Sequence, residues 1–117
     1  MITVETRRPY TLVRRMKELI DEGTIETWSY DDDGDFTHMP PQWRNKAWFH
    51  AVRYKGEKVE FRMIPNSKRL ISREVYAIYH GRFVEMLMAH LSRYCINISV
   101  SPVPDNKDRI IPYGYED

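Results

Sequence analysis

Four histidines, one cysteine and a run of aspartates are the residues of this 117-residue chain with the most obvious chemical reach. His38, His50, His80 and His90 include no pair at the i, i+4 spacing that a helical zinc site needs. His80 lies between Tyr79 and Gly81 in an apolar stretch. Beside a carboxylate such as Glu85 or Asp35 it would make a general-base pair. The competing account, which is favoured, is a core histidine satisfied by a backbone carbonyl or a tyrosine, because buried polar groups are normally paired. The Asp31-Asp32-Asp33-Gly34-Asp35 run invites a calcium loop. Aligning Gly34 to the loop glycine puts Ser29 first and Pro40 twelfth, where a bidentate glutamate belongs. A hairpin turn with solvated aspartates fits better. Cys95 stands alone, so no disulfide forms within the chain and no paired-cysteine zinc motif exists. A serine elbow and a glycine-rich phosphate loop are also lacking. No cofactor and no metal are expected.

A second kind of chemistry lies in interleaved cations and rings. Trp43, Arg44, Lys46, Arg53 and Lys55 crowd one stretch, and Lys68, Arg69 and Arg73 follow it. Cations on phosphates with rings under bases is how single strands are held. The bland account makes the rings core and the cations the solvated edge of a hairpin. The net charge of +1 hides a segregated pattern: +4 over residues 1–17, −8 over 18–43, +7 over 44–73 and −2 beyond. Such blocks suit a polar protein interface with electrostatic steering.

Regular elements must position these groups. Leu12, Val13, Met16, Leu19 and Ile20 form one helical stripe over 11–22, with Thr11 as N-cap and Gly23 as C′ residue. Thr24–Tyr30 and Asp35–His38 read as strands joined at Asp33-Gly34. Ala47–Tyr54 is a central strand. Lys58–Ile64 returns from it with Val59, Phe61 and Met63 inward. Ser72 caps a long helix to about Tyr94, apolar enough to serve the core or a partner, with Gly81 permitting close approach. Ile96, Ile98 and Val100 alternate as a last strand.

The order predicts an α+β fold: an antiparallel sheet of four to five strands, with an N-terminal helix and a long C-terminal helix packed on one face. Residues 1–104 form a single domain, and 105–117 an extended or partly disordered tail. With no apolar run of membrane length, no signal-peptide layout and one cysteine, the expected location is the cytoplasm, with no membrane partner. The expected function is a non-enzymatic protein-binding or regulatory module, acting on a protein partner or by self-association, as a homodimer, through the long helix. One alternative is a nucleic-acid-binding domain using Trp43, Arg44, Lys46, Arg53, Lys55, Lys68, Arg69 and Arg73. A second is a small enzyme with a His–carboxylate pair at His80.

Overall fold

A computed structural model describes residues 1–66 and 70–113, with the side chains of 111–113 left aside. The elements run β1 (Ile2–Glu5), α1 (Pro9–Asp21), β2 (Trp28–Tyr30), β3 (Phe36–His38), β4 (Ala47–Tyr54), β5 (Lys58–Pro65), β6 (Leu70–Ser72), α2 (Arg73–His90), β7 (Asn97–Val100) and β8 (Ile111–Tyr113). Six strands pair antiparallel in the order β2-β3-β4-β5-β1-β7, and β6 and β8 make a separate parallel pair. The fold is α+β with both helices on one face of the sheet, as the sequence predicts. The sheet is larger than the expected four to five strands because Ile2–Glu5 inserts as a strand between β5 and β7.

Strand parity decides the faces. Ala47, Phe49 and Ala51 of β4 and Val59, Phe61 and Met63 of β5 are buried under the helices. Trp48, His50, Val52 and Tyr54 take the opposite face and stay half-exposed. Leu12, Val13, Met16 and Leu19 of α1 join Tyr76, Tyr79, Phe83 and Leu87 of α2 in the same core. The long helix therefore lays its apolar stripe on its own sheet. On α2 Met88 is the one large apolar side chain that is exposed, with Val75, Ile78 and Val84 half-buried.

Several boundaries shift for physical reasons. Helix α1 starts at Pro9, not after Thr11, because proline fixes φ and lacks the N–H that the first turn cannot use. The strand expected over 24–30 is confined to Trp28–Tyr30, since the N–H groups of Thr24 and Ile25 donate to the Leu19 carbonyl that ends α1. Helix α2 stops at His90, and Ser92–Tyr94 form a separate 3-10 turn. Ser72 caps α2 as expected, its Oγ accepting from the Val75 N–H at 3.1 Å. A Cβ at Gly81 would meet nothing within 4 Å, so no close approach explains that glycine. The segment 105–113 is tied down: Asp108 accepts from the Met63 N–H, Arg109 N–H donates to the Met63 carbonyl, and β8 pairs with β6. It takes the edge of β5 beyond the reach of β1. Among the described residues no helix is long and apolar enough to cross a membrane.

Candidate functional site

Among the described residues, the basic–aromatic set is spread along the molecule. Arg44 and Lys46 precede β4, whereas Arg53 and Lys55 stand at its far end. At about 3.3 Å per residue, Lys46 and Lys55 are separated by about 30 Å, most of the 38 Å long axis of the molecule. Trp43 packs against the core, and its carbonyl accepts from the Tyr79 hydroxyl. Arg44 Nε donates to the Met39 carbonyl at 3.2 Å, and the Arg53 guanidinium lies 5.8 Å from the Tyr10 ring centre. Arg73 begins α2, exposed. Lys68 and Arg69 lie outside the described residues.

His80 is in the core, 3% exposed. Its Nδ1 donates to the Tyr76 carbonyl at 2.7 Å, leaving Nε2 to accept from the Met1 amine at 3.0 Å. The ring stacks on Tyr76 and meets Phe49 edge-on. No hydrogen bond joins it to Glu85 or Asp35; its ring is satisfied by a backbone carbonyl, the account favoured for it, and the alternative His80–carboxylate pair is not formed. Asp35 instead binds His50 Nδ1 at 2.7 Å across β3 and β4. One carboxylate oxygen from each of Asp31, Asp33 and Asp35 lies within 4.8 Å of the others. That convergence follows from the turn, in which Asp31 Oδ1 accepts from the N–H groups of Asp33 and Asp35.

The uncovered sheet face centres on Glu60, whose side chain is 3% exposed. Arg62 Nη2 donates to it at 2.7 Å, Lys107 Nζ at 3.0 Å and the Tyr54 hydroxyl at 3.1 Å. Burial alone would raise this carboxyl, but the bonds from Arg62, Lys107 and Tyr54 hold it near a pKa of about 2, below the ordinary 4.5. Burial, with the nearby Met1 ammonium, lowers His80 from 6.5 to about 3. Both shifts act in one direction. Between 6.5 and 3 the unfolded chain takes up a proton that folded His80 refuses, and between 4.5 and 2 the same holds for Glu60. Stability is therefore expected to fall steadily as pH drops from about 6.5 toward about 2. Urea midpoints at about pH 7 and about pH 4.5 would show it, and equal midpoints would contradict the burial of these groups.

A cleft of about 470 Å³ opens where β1 meets α1, lined by Thr6, Arg7, Arg8, Arg93, Tyr94 and neighbouring residues. The guanidiniums of Arg8 and Arg93 lie 5.5 and 5.6 Å from the centre of the Tyr94 ring. Helix α1 begins here with no side-chain cap and no acidic residue in its first turn. No acidic side chain lines the cleft, and among the described residues no carboxylate pairs with Arg7, Arg8 or Arg93. Cys95 lines the same cleft, its thiol donating to the Leu91 carbonyl and pushed up in pKa by burial. A second cleft, of about 290 Å³, lies between residues 24–28 and α2 and includes His38. Among the described residues, neither His80 nor any member of the basic–aromatic set lines either cleft, while Glu85 lines the second.

No protein-family model, curated protein or solved structure matches the chain.

Proposed function

We propose that this chain is a non-enzymatic binding module that holds an acidic or phosphorylated segment of a protein partner in the Arg7–Arg8–Arg93 cleft. One observation carries this: Arg7, Arg8 and Arg93 line one cleft, and among the described residues no carboxylate pairs with them. Elsewhere cations such as Arg15, Lys58, Arg62 and Lys107 have carboxylate partners. Unpaired arginines present planar donor forks suited to carboxylate or phosphate oxygens. The dipole of α1 adds to the same field. The nucleic-acid alternative needs its cations on one face, and Arg44 and Lys46 stand far along β4 from Arg53 and Lys55.

The test is fluorescence anisotropy with a labelled phosphoserine peptide rich in aspartate. Saturable binding that weakens steeply with added salt is expected. With each charge-assisted bond contributing about 1.5–3 kcal/mol, the R7E/R8E/R93E variant should bind roughly 100-fold or more weakly. Equal binding by wild type and variant would overturn the proposal. Tight binding of a single-stranded oligonucleotide that survives the triple substitution would move the assignment to the basic–aromatic set.

A further inference from the structure

We propose that β7 is a pairing edge whose partner is a second copy of this chain, the two β7 strands joining antiparallel about a twofold axis at Ser99. The inference does not depend on what the arginine cleft holds.

Register decides which backbone groups are free. The Thr6 N–H donates to the Glu57 carbonyl at 3.0 Å, so the even-numbered residues of β1 bond toward β5. The odd-numbered residues then bond toward β7, as Met1 does when its carbonyl accepts from the Ser101 N–H at 3.0 Å. Along β7 this assigns the backbone of Asn97 and Ser99 to β1. Ile98 and Val100, opposite Val4 and Ile2, turn their N–H and C=O groups the other way. Strand β7 ends the sheet, and among the described residues no strand lies beyond it. The opposite edge is guarded: β2 is flanked by Glu26, Asp31, Asp32 and Asp33. From Ile96 to Ser101 there is neither a charge nor a proline to discourage pairing.

A second copy fits because this edge is complementary to itself. Inverted about Ser99, Ile98 of each copy stands opposite Val100 of the other. Each such pair exchanges both of its N–H···O bonds, and every outward group of these residues is used. Pro102, which cannot donate, ends the pairing. On the helix side of the sheet Ile98 and Val100 extend the row of Val4 and Ile2. Val4 and Ile2 are fully buried, whereas Val100 is 42% exposed and Ile98 half-buried, so the core stops at this strand. Pairing carries it onward, apolar against apolar. On the other face Ser99 meets Ser99 and Asn97 meets Ser101, so no like charges oppose each other. The same patch serves both copies and the contact closes, as in the commonest class of soluble assemblies.

Sedimentation velocity of the full chain at rising concentration should show the mass moving from one chain to two. Val100→Pro removes an outward N–H and no bond to β1. It should weaken the dimer roughly 10-fold or more while the urea midpoint stays near wild type. Val100→Lys places a charge on the edge and should act likewise without constraining the backbone. The register is read by Ser99→Cys in a Cys95→Ser background. Partners of this non-hydrogen-bonded kind have Cα atoms about 4.5 Å apart, within disulfide reach, so mild oxidation should link two copies. Val103→Cys in the same background, also exposed, should link far more slowly. A single-chain mass at every concentration, a dimer unchanged in both Val100 variants, or equal linking by the two cysteine variants would each overturn the proposal.

Discussion

Replacing Asp108 with alanine is expected to destabilise the fold by about 3–5 kcal/mol, the range for removing one partner from a buried ion pair. Its side chain is fully buried. Oδ1 accepts from the Met63 N–H at 2.7 Å, and Oδ2 accepts from the Asp105 N–H at 2.9 Å and the Met1 amine at 3.0 Å. Both oxygens face donors. Asn in this position must turn its amide N–H₂ toward another donor whichever way it flips, so Asp108→Asn should cost nearly as much despite its matching shape. Urea unfolding of both variants measures the loss. Amide exchange at Met63 should accelerate more than exchange in α1, because the segment 105–113 loses its anchor. A cost below about 1 kcal/mol in the alanine variant would mean that water replaces the carboxylate and that the segment is held by other contacts.

Phe83→Ala should be comparably severe, at about 3–5 kcal/mol. The ring is fully buried on α2. Its centre lies 4.7 Å from that of Phe49, 4.8 Å from Phe61, 4.9 Å from Trp28 and 6.0 Å from Phe36. These rings come from four different strands or strand ends, so none can move into the vacated space without dragging its backbone. Domains of ordinary stability have about 5–15 kcal/mol in total, so this one substitution would remove a large share of it. Phe83→Leu keeps part of the volume and should fall clearly between wild type and alanine in urea midpoint. A near-neutral Phe83→Ala would show a core that relaxes freely.

Local patterns carried the fold a long way. Alternation at Val59, Phe61 and Met63 marks β5, and the stripe through Leu12, Met16 and Leu19 marks α1, because burial on one face leaves a period in the sequence. Strand β1 escaped notice since four residues carry too short a period, and its partners Phe61 and Val100 are remote in the chain. The clefts were illegible for a related reason. Arg7 and Arg8 stood in a recognised basic segment, but nothing local ties them to Arg93. His38 sat within a correctly expected return strand, and only the approach of Glu85 and Met86 on α2 places it beside a cleft. The cations on either side of Trp48 are crowded in sequence only, because closeness in sequence along an extended strand is distance in space.

The place of β1 between β5 and β7 has a kinetic side. The β4–β5 hairpin can zip as soon as its own residues are free, with one short turn to close. Strand β1, the first of these strands in the sequence, must wait for β5 to emerge and then still presents a raw edge until Asn97–Val100 arrives. Loop-closure entropy for these remote pairings is lost before any contact rewards it, so the rate of folding is set by the far end of the chain. On a ribosome, the apolar Ile2 and Val4 would stay uncovered at least until β5 and then Asn97–Val100 had emerged, an interval of exposure to aggregation or to chaperones.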